Sequence, residues 1–260
     1  MAAQPSPPFL CLQHLPRAGG SSVREWLSRM LPPECIVDCY WGVPRKSLEY
    51  VLWQYNWHAP QWRCLFGHFI FGTERVIERK GVYAILVREP VKRLISQFAF
   101  LRARDPCSPE GTDPDPERGL LTQLRPGNFQ YDNLISRMIA GIGPIDVTQH
   151  ELAAVAVRRV RERYALAATT LDYPLALTHL SDLIVNVIGG RAPPESHPFP
   201  HINSNPDPEL VSFLGSSPRV IQRIHETQQA DRHLYEKLAE RPHFVPRVCG
   251  EATVARANDQ

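Results

Sequence analysis

No stretch of this 260-residue sequence stays apolar for anything near the roughly 18 residues that a membrane-spanning helix requires. The longest apolar runs, such as Val82 to Val87, have the length of a strand. A surplus of one charge is also missing. With 29 Lys+Arg against 27 Asp+Glu, the chain lacks the concentrated basic surface of a duplex-DNA binder, and no nucleic-acid partner is expected. Residues 1–8 have neither the basic segment nor the apolar segment of a secretory leader. The six cysteines, at 11, 35, 39, 64, 107 and 249, include no Cys-x-x-Cys pair and do not space like a disulfide framework. The expectation is a cytoplasmic protein with reduced thiols, with paired cysteines in an oxidising compartment as the alternative. A charged fraction of 22% excludes a disordered tail protein.

What is abundant is proline: 25 residues, roughly twice the usual share of about 5%, implying many loops and compatible with a GC-biased bacterial source. The length suits one hydrophobic core rather than two. Phe9 to Leu15 reads as a strand that stops at Pro16, passes Gly19-Gly20-Ser21-Ser22 and enters an amphipathic segment over Val23 to Leu31. Cys64 to Phe66 and Val82 to Val87 are further strands. A helix runs from Pro90 to about Arg104, with Pro90 in the first turn where its missing N–H costs nothing. Asp105 to Gly127 reads as a mobile loop, and Tyr131 to Ala140 as helical. Thr148-x-x-Glu151 is a capping box for a helix to about Tyr164. Ala165 to Leu171 reads as a strand, Leu175 to Ile188 as a helix, and Val220 to Glu240 as one long terminal helix. The fold class expected is α/β: a single P-loop-like domain over residues 9–240 with a central, mostly parallel sheet flanked by helices. Residues 1–8 are expected to be flexible and 241–260 frayed.

Two segments carry the chemistry. In Leu15-Pro16-Arg17-Ala18-Gly19-Gly20-Ser21-Ser22, two glycines allow a tight turn, two hydroxyls donate and a guanidinium adds charge, next to a helix N-terminus. An ordinary strand-to-helix turn is the plain alternative. The loop lacks the G-x-x-x-x-G-K of a Walker A motif, and the best strand ends in Arg88 rather than a Mg²⁺-holding acid, which disfavours a nucleotide kinase. Arg88 and Ser96, eight residues apart across the strand end and the next helix, are placed to grip one phosphate. Arg93 and Lys92 read as a solvated helix face.

These residues resemble a known family. Arg17 to Ser22 is similar to the 5′-phosphosulfate loop of sulfotransferases, Pro-Lys-(Thr/Ser)-Gly-(Gly/Thr)-Thr-(Ser/Thr). Arg88-Glu89-Pro90-Val91-Lys92-Arg93-Leu94-Ile95-Ser96-Gln97-Phe98 resembles their 3′-phosphate motif, Arg-(Asp/Glu)-Pro-x-x-Arg-x-x-Ser-x-(Phe/Tyr). Gly67-His68-Phe69, Asn133 to Arg137, Leu171 to Leu183, His201-Ile202-Asn203 and Asp231 to Glu236 extend the likeness toward the heparan-type O-sulfotransferases and their soluble bacterial relatives. The sulfotransferase fold is then implied. So is 3′-phosphoadenosine 5′-phosphosulfate (PAPS) as donor, cradled by Arg17, Ala18, Gly19, Gly20, Ser21 and Ser22 and anchored by Arg88 and Ser96, with no metal required. Arg17 stands where the family has lysine. An arginine holds an oxyanion but does not release a proton. Tyrosylprotein sulfotransferases also carry Pro-Arg-x-Gly there.

The acceptor therefore stays open between a protein or peptide tyrosine, the first choice because of Arg17, and a glycan hydroxyl. Two bases compete: His68, whose imidazole titrates near working pH, and Asp38, spaced from Arg17 as in the tyrosylprotein enzymes. Asp38 also reads as a plain loop acid. Asn133 and Arg137 are candidates to line the acceptor cleft. The aromatics from Trp41 to Trp62 form either a stacking wall or core. A non-catalytic protein that binds the nucleotide is the remaining alternative.

Overall fold

The computed structural model describes residues 8–41, 44–51, 61–77, 80–193 and 207–244. Its strands are β1 (Phe9–Gln13), β2 (Ile36–Cys39), β3 (Cys64–Gly67), β4 (Gly81–Val87), β5 (Tyr164–Thr169) and β6 (His243–Phe244). The helices are α1 (Gly20–Met30), α2 (Pro90–Arg104), α3 (Pro116–Gln123), α4 (Leu134–Ala140), α5 (Gln149–Arg163), α6 (Tyr173–Leu183), α7 (Pro208–Ser216), α8 (Pro218–Thr227) and α9 (Gln229–Glu240).

The strands make one six-stranded sheet in the order β2-β3-β1-β4-β5-β6, parallel throughout except for the last pair. The two-residue period of a strand sends alternate side chains to opposite faces. Phe9 and Cys11 of β1 join Tyr83, Ile85 and Val87 under α4, α5 and α9. Leu10 and Leu12 join Ala84 and Leu86 under α1 and α6. A sheet covered on both faces explains why β1 and β4 read as unbroken apolar runs. A third apolar cluster, built on Leu94 and Phe98 of α2, holds α3, α7 and α8 to one side.

The chain leaves β1 for β2, returns to β3 beside β1, then crosses β1 to reach β4. The connections thus diverge on the two sides of β1, and the crevice at the carboxyl ends of such strands is where open α/β sheets take ligands. His14, Tyr40, His68 and Arg88 each stand one residue past the end of β1, β2, β3 and β4, so all four lie at that edge.

The architecture agrees with the expected α/β class, and several local expectations are corrected. Asp38 belongs to β2 rather than to a loop. The stretch Asp105 to Gly127 contains α3, whose first turn is capped by Asp115 and whose Leu120 is fully buried. The expected long terminal helix is two helices broken at Gln228, which has ψ 37° and hydrogen-bonds into the core. The segment Leu175 to Ile188 ends in a π turn over Ile184–Ile188, closed by the left-handed Gly189. His243 and Phe244 pair with β5, inside the stretch expected to fray. The Thr148–Glu151 capping box forms as read. Residues 1–7, most of Arg191 to Pro208 including His201 and Asn203, and residues 245–260 lie outside the described residues. Among the described residues no helix is long and apolar enough to cross a membrane. The described cysteines are free thiols.

Candidate active site

The cleft at the carboxyl edge of the sheet has a volume of about 400 Å³. Its floor is the turn from β1 into α1, where Arg17 and Gly19 both take left-handed backbone conformations, φ 66° and 79°. Gly19 is the N-cap of α1 and supplies no side-chain cap, so the amino end of the helix faces the cleft. Added side-chain atoms do not fit here. A Cβ at Gly19 would lie 2.7 Å from the Tyr173 hydroxyl, and one at Gly20 would lie 1.8 Å from His14 Nε2.

The two anion-type segments meet. Arg88 Nη1 donates to the carbonyl of Arg17 at 2.8 Å, and Arg17 Nε donates to Ser96 Oγ at 3.0 Å. The Arg17 guanidinium also lies over the Phe100 ring, 4.8 Å from its centroid. Burial pulls the Arg17 pKa down, and the neighbouring Arg88 charge pulls it further. Burial lowers Arg88 as well, with Glu89 acting in the opposite direction. Both guanidinium groups stay charged. The lining includes Arg17, Arg88, Arg104, His14 and His68 and, among the described residues, no carboxylate. The half-buried guanidinium groups of Arg17 and Arg88, with the exposed Arg104 at the rim, invite an anionic ligand.

His68 lies in this cleft, with its Nε2 buried and without a hydrogen-bond partner. Burial pushes its pKa down to about 4, so the ring is neutral at pH 7 and holds an open lone pair or N–H. Around it stand Tyr40 at 4.8 Å, His14 at 4.9 Å and Trp41 at 5.7 Å, measured between ring centroids. Ser21 reaches the cleft, whereas Ala18 and Ser22 are buried beneath it.

Ser96 is fully buried and accepts from Arg17 without lining the cleft, and three further expected site residues lie elsewhere. Asp38 is held by Arg24 at 2.8 Å and Lys46 at 2.9 Å and is not part of the cleft lining. Asn133 is fully buried at the start of α4, where its carboxamide accepts from the Ala230 and Asp231 amides and donates to the Thr227 carbonyl. Arg137 is likewise buried, bonded to Asp132 and to the Gly143 and Ile145 carbonyls. Both hold α4, α9 and the following loop together and do not line an acceptor cleft. Arg93, read as solvated, is fully buried, with its Nε and Nη1 unpartnered. The aromatic stretch divides: Tyr40 and Trp41 line the cleft, Val51 and Trp62 belong to the core, and Trp53, Tyr55 and Trp57 lie outside the described residues.

The sequence reading passed over His14, Tyr40, Gln97 and Phe100 as site residues. For His14 a signal existed, since it sits at the end of β1 directly before the glycine turn. Among the described residues no group of three His, Cys, Asp or Glu is arranged to hold a metal ion.

No family model matches the chain, and no curated protein is similar enough to match it. Among solved structures, the mouse sulfotransferase SULT7A1 complexed with PAP aligns over 90% of this chain and 89% of its own, with 13% identity and a TM-score of 0.40. A likeness that distant carries no weight for fold family or function.

Proposed function

We propose that the protein is a PAPS-dependent sulfotransferase, moving a sulfuryl group from the nucleotide to an acceptor hydroxyl. The observation that carries this reading is the joining of its two sequence-recognised anion segments: Arg88 donates to the Arg17 carbonyl, Arg17 donates to the buried Ser96 hydroxyl, and both guanidinium groups line one cleft with the uncapped amino end of α1. The glycine turn has no room for a Cβ at Gly20, and among the described residues the lining is cationic without a carboxylate, so the residues present suit a phosphosulfate. On this reading Gly19, Gly20, Ser21 and the Arg17 side chain face the 5′-phosphosulfate, Arg88 faces the 3′-phosphate, and the buried Ser96 holds the Arg17 guanidinium in place. Ala18 and Ser22 shape the turn from below. Sulfuryl transfer is an in-line displacement governed by positioning and charge stabilisation, and the PAPS supplies the activated sulfuryl group. His68, neutral, bordering the cleft and with an unpartnered Nε2, is the base that takes the acceptor's proton.

That placement favours a saccharide hydroxyl, because the carboxylate expected of a tyrosylprotein-type site, Asp38, is engaged with Arg24 and Lys46. A peptide tyrosine is the second reading, favoured by Arg17 and by the Tyr40 and Trp41 rings beside His68. The test is metal-free ³⁵S transfer from labelled PAPS onto glycans and tyrosine peptides, with Ser96→Ala, His68→Ala and Asp38→Ala beside wild type. Label on a glycan, lost in His68→Ala and kept in Asp38→Ala, is the expected outcome. Label on a peptide that depends on Asp38 would replace the saccharide reading. Failure of adenosine 3′,5′-bisphosphate to bind would sink the sulfotransferase assignment altogether.

A further inference from the structure

The base assigned to His68 leaves another imidazole in the same cleft unexplained. His14 follows β1 directly and borders the cleft half-buried, stacked on Phe66 at 5.3 Å, edge-on to Tyr40 at 5.9 Å and 4.9 Å from the His68 ring. Its Nε2 sits over the Cα of Gly20, the first residue of α1, because a Cβ there would come within 1.8 Å of it. Its other nitrogen, Nδ1, is 3.5 Å from the Tyr40 hydroxyl. Burial and the neighbouring Asp38 raise the Tyr40 pKa, so that phenol stays protonated and is able to donate to Nδ1. A ring accepting at Nδ1 carries its own proton on Nε2, at the amino end of α1.

We infer that His14 is the proton donor on the leaving-group side of the cleft, doing what Arg17 cannot, while His68 acts on the acceptor side; this rests on the sulfotransferase reading above. The groups facing His14 are His68 from the end of β3, Tyr40 from the end of β2, and Arg17 from its own turn, with Arg88 of β4 behind Arg17. With the cleft empty, burial, His68 and Arg17 hold the His14 pKa well below its ordinary value, so both rings are neutral at pH 7. An anion at the amino end of α1 reverses the sign of the local field and draws one proton onto His14. The charged His14, 4.9 Å from His68, then keeps His68 unprotonated and able to accept. The balance closes. The acceptor O–H proton passes to His68, the acceptor oxygen bonds to sulfur, the bond from sulfur to the bridging oxygen breaks, and the His14 proton passes to the 5′-phosphate that leaves.

The decisive measurement is proton uptake on ligand binding, by calorimetry at pH 7 in buffers of differing ionisation enthalpy. Two probes are used, adenosine 3′,5′-bisphosphate and inorganic sulfate. Sulfate has no titrating proton of its own near neutrality. Wild type is expected to take up close to one more proton per ligand than His14→Gln, with His68→Gln keeping the uptake. In turnover, His14→Gln is expected to lower kcat by about 10²-fold or more, in the range of a lost proton donor, with KM for the nucleotide little changed. Should the bisphosphate fail to bind while sulfate binds with His14-dependent uptake, the sulfotransferase reading falls and the His14 assignment stands as an anion-coupled proton site. Equal proton counts for wild type and His14→Gln, or no binding of either probe, would overturn it. Melting curves of His14→Gln and His14→Asn identify any variant that fails to fold, and a donor role requires the uptake to be lost in both folded variants.

Discussion

Two helices begin at the same cleft, and their first turns are finished in opposite ways. At α2, the Glu89 carboxylate accepts from the Val91 and Lys92 amides at 2.9 and 2.7 Å, and Pro90 removes one more donor from the account. At α1, the N-cap is a left-handed glycine without a side-chain cap, no acid occupies the first turn, and three arginines line the space in front. One helix start is completed by its own sequence and serves structure. The other is left open toward the cationic cleft, where an anion would complete it on the reading proposed above.

The contrast can be broken most severely at Gly20. Gly20→Ala places a methyl group within the His14 ring, and a displacement of that size in a reacting cleft costs on the order of 10²-fold in turnover. Steady-state kinetics on PAPS would register it, and unchanged kcat and KM would mean that His14 moves freely. Arg88→Ala removes both a cleft charge and the donor to the Arg17 carbonyl. Bisphosphate affinity should fall by roughly 10- to 100-fold, the range of a charged hydrogen bond of about 1.5–3 kcal/mol, read by calorimetry. An acid installed at the open helix start sharpens the comparison. Ser21→Asp is expected to raise stability by about 0.3–1 kcal/mol while weakening bisphosphate binding at least tenfold, a divergence visible by running denaturation and binding on one sample. Glu89→Ala should do the reverse, costing about 1 kcal/mol of stability with bisphosphate affinity within about threefold of wild type.

Acid makes a further prediction on the His68 ring. Its folded pKa, about 4, lies below the unfolded value of 6.5, so the unfolded chain binds the extra proton first. Stability is therefore full above pH 6.5 and declines as pH falls toward 4, by up to about 3 kcal/mol, with His14 adding in the same direction. Urea titrations across that window should show the slope, and His68→Gln should flatten it.

The sequence made legible whatever rests on local pattern: β1 and β4 as apolar runs, α2 with its proline start, the Thr148 capping box, and the two anion segments. It misread whatever depends on partners distant in sequence. Asn133 and Arg137 look like site residues because polar side chains in a helical stretch read the same whether they face a ligand or a buried backbone. Their partners, Thr227, Asp231 and Gly143, declare themselves only in three dimensions. Asp38 was placed in a loop because β2 is four residues long and polar at one of them. His14 was hidden by the opposite effect, since a histidine ending a strand reads as the last of the apolar run. The break at Gln228 lacks glycine or proline and so left no mark.

The hydrogen bond from Arg88 to the Arg17 carbonyl joins positions 71 residues apart and holds a residue of positive φ in place. That hydrogen bond forms only once β4 has docked beside β1, a pairing that is non-local in sequence. An anion that recognises the turn recognises the assembled sheet, and it raises the unfolding free energy by RT ln(1 + [L]/Kd), which is about 2.7 kcal/mol at a hundredfold excess over Kd. On the proposed reading a bound nucleotide would clamp the whole molecule, and a melting curve would become an affinity measurement.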